Sequence, residues 1–467
     1  MRGYAVRRQI TAAIWRCRKM SRGKLELVWT YYFDHTTMEQ HFEKMARKGW
    51  ILDRMGIFWH YRRSEPKELR YAVGYFPGSG VYAPPTGEEL TFEEYCQIAG
   101  WELAAEHGAM KIFCNERENP VPLETQADIQ VKNIRNGSRR FRIADGILGM
   151  IGWLLTIYFF LSLYFDGART LSDGSGLTLA FTGFMLGVYG SVEFITFRRW
   201  YKKAKANAKR DQSFTPTKGY PALSKIIMLL TMAAVVFYAF TAGGGLVLAV
   251  LAGYFIVYYF QDIIRNRMRD RGSATAANIG VNLVLAFLIF FVVFNGYYYF
   301  SSFEAGDYYE KRGFHLQGQE TPLTLQELAG PEFNGKGYID TQNIQSSAFL
   351  SRMEIEQLYD EALSGAKGTP GYYLEYVVTK VKLAPFYGFV RSSMERTYRS
   401  GENWQTMDSW GTGEKNELQA LQSVFDRKGQ KIFRYLLCME DRILKIDLSF
   451  EPTASQQEVI LERLREI

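Results

Sequence analysis

Five apolar runs constrain this 467-residue chain more than any other feature of it. They cover residues 147–165, 177–197, 226–242, 244–260 and 279–300, and none carries a charge at its centre. The hydrocarbon core of a bilayer, about 30 Å thick, takes about 20 apolar residues at a helical rise of about 1.5 Å. Each run comes near that length. The third and fourth, shorter and joined at the glycines around residue 243, read as a tight helical hairpin. The sequence therefore predicts a transmembrane region of five helices over residues 146–301. The mean hydropathy of −0.18 conceals it by averaging an apolar middle with two polar ends.

Charge in the short loops orients these helices, because cytoplasmic loops collect Lys and Arg. Arg198, Arg199, Lys202, Lys203, Lys205, Lys209 and Arg210 follow the second run, and Arg265, Arg267, Arg269 and Arg271 follow the fourth. The loop 166–176 holds only Arg169 as a cation. A multi-pass protein of a bacterial cell membrane is expected, with its N-terminus in the cytoplasm and its C-terminal domain outside. Of the net charge of +7, residues 302–467 contribute about −6 from 19 Lys/Arg and 25 Asp/Glu, so the upstream part is strongly basic. Membrane topology accounts for that surplus, and no direct contact with nucleic acid is expected; the lipid bilayer is the implied partner. The domain plan is a basic leader (1–24), a cytoplasmic α+β domain (25–120), a linker (121–145), the transmembrane region (146–301) and an extracytoplasmic α+β domain (302–467).

Residues 25–116 repeat one β-α-β-β pattern. In the first copy a strand at 27–33 precedes a helix opened by Thr36 with Glu39 at capping-box spacing, which buries Met38, Phe42, Met45 and Ala46. The helix stops at Gly49, and Trp50 starts a hairpin. The second copy has a strand at 69–76, a helix opened by Thr91 with Glu94, a stop at Gly100 followed by Trp101, and a hairpin turning at His107 and Gly108. Glycine at each stop suits a left-handed cap. Both helices are expected on one sheet face. Trp50, Trp59 and Trp101 with Arg62, Arg63 and Arg70 form the candidate recognition surface. Core packing and a solvated sheet edge are the plainer roles for the same residues.

The strings VWTYYFD, MARKGWILDRM, IFWHYRR, LRYAVGYF and FEEYCQIAGWEL resemble the bacterial membrane proteins of the domain-of-unknown-function 2812 family (DUF2812). The likeness covers residues 24–115, and the longer loop 77–90 and the basic leader depart from the common short form. The resemblance implies a protein partner on the cytoplasmic side, in a system with a PadR-type regulator, and implies no activity or site residues.

Beyond residue 300 the pattern is again α+β. A strand lies near 372–379, a hairpin has arms 431–439 and 442–450, and a closing helix is opened by Ser455 with Glu458. The stretch GPEFNGKG at 330–337 fails as a phosphate loop, because Gly337 stands where magnesium needs Ser or Thr. The cysteines Cys17, Cys96, Cys114 and Cys438 lack CxxC spacing, and the five histidines lack paired spacing. Glu193, the one acid well inside a run, is expected to pair with Arg198. No catalytic, cofactor-binding or metal residues are assigned. The expectation is a non-enzymatic membrane protein that senses or signals at the envelope; a transporter or export-system subunit is the alternative.

Overall fold

A computed structural model describes residues 23–27, 30–56, 58–217, 221–241, 245–301, 321–329, 338–358, 373–399, 404–407, 410, 419–425 and 431–465. Most of the basic leader, the glycine turn near residue 243, His315 and the 330–337 stretch lie outside the described residues. The chain divides into two compact units. One comprises Met1–Trp153, Gly183–Ala233 and Leu246–Tyr298; the other comprises Leu154–Thr182, Ala234–Gly245 and Tyr299–Ile467.

In the first unit the duplicated pattern folds as β1 (Gly23–Leu27), α1 (His35–Arg47), β2 (Trp50–Arg54) and β3 (Phe58–Arg63). It then repeats as β4 (Arg70–Tyr75), α2 (Gly87–Ile98), β5 (Glu102–His107) and β6 (Met110–Asn115). Each copy closes into its own antiparallel sheet with the last strand central, in the orders β1-β3-β2 and β4-β6-β5. Gly49 and Gly100 take φ of 77° and 88°, the left-handed conformation that ends both helices. The helices do not share one face. In β6, Met110 and Ile112 join Tyr71, Val73, Trp59 and Tyr61 in the large core beside α1, while Phe113 packs in a separate cluster with Cys96 of α2. Period-two alternation thus gives the second sheet two buried faces.

The caps differ from the sequence reading because the side chains are used elsewhere. Thr36 exchanges hydrogen bonds of 3.1 and 3.0 Å with Thr217 instead of capping α1. Helix α2 starts at Thr86, whose capping box is completed by Glu89, and Thr91 lies inside the helix. The stretch 121–145, read as a linker, contains α3 (Ala127–Gly137), whose Ala127, Val131 and Ile134 are buried in the large core.

Two further helices, α4 (Arg139–Phe165) and α6 (Gly174–Asp211), flank the short α5 (Gly167–Ser172). Helices α7 (Pro221–Thr241), α8 (Gly245–Asp270) and α9 (Thr275–Ser301) follow. The expected five-helix transmembrane region is not what forms. Among the described residues only α4 and α6 are long and apolar enough to cross a membrane. Among the described residues the apolar stretches of α7 and α9 are Ala222–Ala234 and Thr275–Leu288, each shorter than a span, and α8 ends in a polar third that binds the sheet domain. These stretches of α7 and α9 are themselves mostly exposed, with Ser224, Ile227, Asn278 and Asn282 as their buried residues. The apolar window of α4 is likewise only 17% buried, which suits lipid as its surroundings.

Where α4 and α6 meet in this unit, glycines let the backbones touch. A Cβ at Gly152 would run into the Gly183 carbonyl, and one at Gly190 would lie 2.9 Å from the Gly149 Cα. Such small-residue contacts characterise helix pairs in membranes. Glu193 faces Asp145 and Arg142 of α4, whereas Arg198 lies over the Phe194 ring. Beyond the glycines α6 continues unbroken, and its Phe197, Trp200, Ala204 and Ala208 complete the large core.

The second unit is built on one antiparallel sheet of seven described strands, β7 (Tyr338–Ser346), β8 (Leu350–Leu358), β9 (Tyr373–Val381), β10 (Trp404–Met407), β11 (Gln419–Phe425), β12 (Lys431–Cys438) and β13 (Arg442–Leu448), in the order β10-β11-β12-β13-β9-β8-β7. Helix α10 (Leu325–Ala329) and α12 (Ala454–Arg465) cover one face through Leu325, Leu328, Ile460 and Leu464; Thr453 and Gln456 form the cap of α12. The other face packs Leu350, Leu436 and Ile443 with Val390 and Met394 of α11 (Tyr387–Arg399) and with Ala168 and Leu171 of α5. The Gly167 amide donates to Ser393 Oγ at 2.7 Å, and Ser172 Oγ donates to Gln345 Oε1 at 2.8 Å. The connection between the two long apolar helices is therefore part of this domain's packing.

Candidate functional site

The densest polar structure in the sheet domain grows from one face of α2. Glu89 and Glu93 are one turn apart, so both side chains project towards β6. There the Lys111 ammonium, fully buried, donates to Glu89 Oε1 at 2.6 Å, Glu93 Oε1 at 2.6 Å and Glu106 Oε2 of β5 at 2.9 Å. A second cation arrives from α8. Arg269 reaches Glu89 at 3.1 Å and Glu106 at 2.7 Å, and its Nε donates to the Ala83 carbonyl at 3.0 Å. Nearby, Asn278 of α9 donates to the Tyr82 carbonyl at 3.0 Å, and the Tyr259 ring of α8 stacks on His60 at 5.8 Å.

Three carboxylates and two cations thus meet in a largely desolvated space. Burial alone would lower the Lys111 pKa, but the Glu106, Glu93 and Glu89 carboxylates together hold it above its ordinary value. One oxygen from each carboxylate lies within 4.8 Å of the others, a spacing suited to a metal ion. The lysine ammonium already stands among them, so a metal would have to displace it. What this arrangement does chemically is join: it fastens the sheet domain to the end of α8.

A second feature lies on the free edge of β4. A cavity of about 370 Å³ opens between α1, this edge, residues 120–124 and α3. The Val73 amide, which faces away from β6, donates to Glu39 Oε1 at 2.9 Å. Burial pushes the Glu39 carboxyl up to about 7. Glu124 also lines the cavity; its Oε1 accepts from Asn133 Nδ2 at 3.0 Å, while its buried Oε2 has no hydrogen-bond partner. Burial raises this carboxyl too. A neighbouring cavity, also about 370 Å³, shares Tyr75, Leu123 and Glu124.

Residues 34–143 match the family described as Protein of unknown function (DUF2812). The chain carries a DUF2812 segment. No curated protein and no solved structure matches the chain. The DUF2812 segment runs from the start of α1 into the first turn of α4 and contains Glu39, Glu89, Glu93, Glu106, Lys111 and Glu124. Arg269 lies outside it.

Within the DUF2812 segment the six candidate recognition residues are dispersed. Trp59 is buried against Phe42, with ring centroids 4.8 Å apart. Trp101 is buried in the α2 cluster, and its Nε1 donates to the Val121 carbonyl at 2.7 Å. The Arg63 guanidinium lies 5.0 Å from the Trp50 ring, and Arg62 is exposed beside it on β3. Arg70 is at the rim of the cavity, 3.7 Å from Glu43, and donates to the Glu118 carbonyl. Only Arg70 and Trp101 line the cavity together. Sequence reasoning missed the ion cluster, although a lysine inside the apolar strand MKIFC opposite two glutamates one turn apart was the available signal. Burial pushes Cys96 and Cys114 up to about 11, so both thiols stay protonated at neutral pH.

Proposed function

We propose that this chain is a non-enzymatic signalling protein of a bacterial membrane. In this reading the DUF2812 segment faces the cytoplasm and recognises a protein partner, a regulator of the PadR type by family resemblance, while the C-terminal domain senses outside. One observation carries the reading: α6 is a single helix whose start adjoins α5 in the C-terminal unit and whose end completes the DUF2812 core. This 38-residue helix contributes residues to both units and so offers a covalent route from one to the other. The orientation is supported by the Lys and Arg residues at the DUF2812 end of α4 and α6, against the single Arg169 of α5.

A photo-crosslinker at exposed Arg62 tests recognition. A specific cytoplasmic partner is expected, captured to different extents with and without envelope stress. Ile195→Pro, which breaks α6 at an exposed position, should abolish that difference while capture persists. Failure to capture any specific partner in either condition would sink the proposal. An impermeant maleimide on intact cells should label a cysteine placed at Asp173 but not one at Lys205; the reverse pattern overturns the orientation.

A further inference from the structure

We propose that the cavity on the free edge of β4 binds a small organic ammonium ion with an apolar body. The inference goes beyond partner recognition by the same segment and stands without it. A volume of about 370 Å³ falls at the small end of ligand sites, which run from about 300 to 1,000 Å³. The lining combines Tyr71, Tyr75, Trp101 and Phe214 with Glu39, Glu43 and Glu124. Aromatic faces and carboxylates together are how proteins recognise ammonium groups.

The charge inventory selects a cation. Among the described residues the only basic side chain in the lining is Arg70, which is drawn towards Glu43 and the Glu118 carbonyl at the rim. An anion would meet three carboxylates. A neutral molecule would leave the field of these carboxylates unbalanced, whereas an N–H donor carrying positive charge balances it. Glu39, fixed against the Val73 amide, is the anchor. A cation favours the ionised form of Glu39, so affinity should rise as pH passes through about 7. The charged groups facing Glu39 are Glu43 and Asp34, both of which oppose its ionisation.

The test is calorimetric titration of the full chain in detergent with hexylammonium, 1-hexanol and hexanoate. Saturable 1:1 binding of hexylammonium is expected, with the alcohol and the carboxylate at least tenfold weaker. Glu39→Gln, which keeps the acceptor for Val73, and Glu124→Gln should each weaken binding about tenfold. Arg70→Gln removes the competing cation from an exposed site and should strengthen binding, which a misfolded protein would not do. Equal binding of the three probes, no binding of hexylammonium, or unchanged affinity in both glutamate variants would overturn the proposal.

Discussion

The two copies of the β-α-β-β unit share strand order, glycine caps and a following tryptophan, yet they fill the space between helix and sheet in opposite ways. At eleven, seven and four residues before the capping glycine, α1 has Met38, Phe42 and Met45, whereas α2 has Glu89, Glu93 and Cys96. On the central strand, the second residue of β3 is Trp59 and that of β6 is Lys111. One copy is closed by apolar packing. The other is closed by ions, and so can accept a further charge from outside: Arg269 of α8. A duplicated fold has thus assigned packing to one half and attachment to the other.

The comparison breaks most sharply at Lys111. Lys111→Met removes a buried cation from contact with Glu89, Glu93 and Glu106, the first two of them buried, and should lower unfolding free energy by about 3–5 kcal/mol. Making the second copy resemble the first, by combining Glu93→Met with Lys111→Met, keeps the charge balance and should restore most of that loss. Chemical denaturation of both variants gives the answer, and a double variant no better than the single one refutes the ionic account.

Glu39 sharpens the contrast from the other side, because the matching position of α2 is Leu90. Its carboxyl, raised to about 7 by burial, takes up a proton more readily in the folded state. Its contribution is therefore complete below about pH 4.5 and lost as pH rises through 7, roughly 2–3 kcal/mol in all. Glu39→Gln should be more stable than the parent at pH 8 and equal to it at pH 4. Identical pH profiles would show that the carboxyl is solvated.

Smaller effects belong to the caps. Gly49→Ala and Gly100→Ala should each cost about 1–2 kcal/mol, since both glycines are left-handed. Gly49 should be the costlier, because its added Cβ would sit 2.6 Å from the Ser64 carbonyl, against 3.4 Å from Asn115 Nδ2 at Gly100. Thermal melts that rank them the other way would place the strain elsewhere. Smallest is Thr86→Ala, at about 1 kcal/mol, with Thr36→Val losing the one hydrogen bond its hydroxyl accepts from the Thr217 amide rather than a cap.

The duplication, both glycine caps, the β12–β13 hairpin and the closing helix were legible because they depend on neighbours in sequence. The pairing of α2 with Arg269 was not, since it joins residues 180 positions apart. The cavity escaped notice for a related reason: Glu39 looked like a capping residue, and only the fold brings it to Val73. The five-helix transmembrane region was over-read because a count of apolar residues does not fix the helix that carries them: among the described residues only α4 and α6 are long and apolar enough to span. Within α7 and α9 it is buried residues such as Ser224 and Asn278 that mark the protein side.

The glycine seam between α4 and α6 has a mechanical consequence. Two helices whose backbones touch at Gly149, Gly152, Gly183 and Gly190 have no side-chain cushion across which to slide. A change of tilt in one is resisted at the seam by direct backbone contact with the other, and any Cβ added there has to push the pair apart.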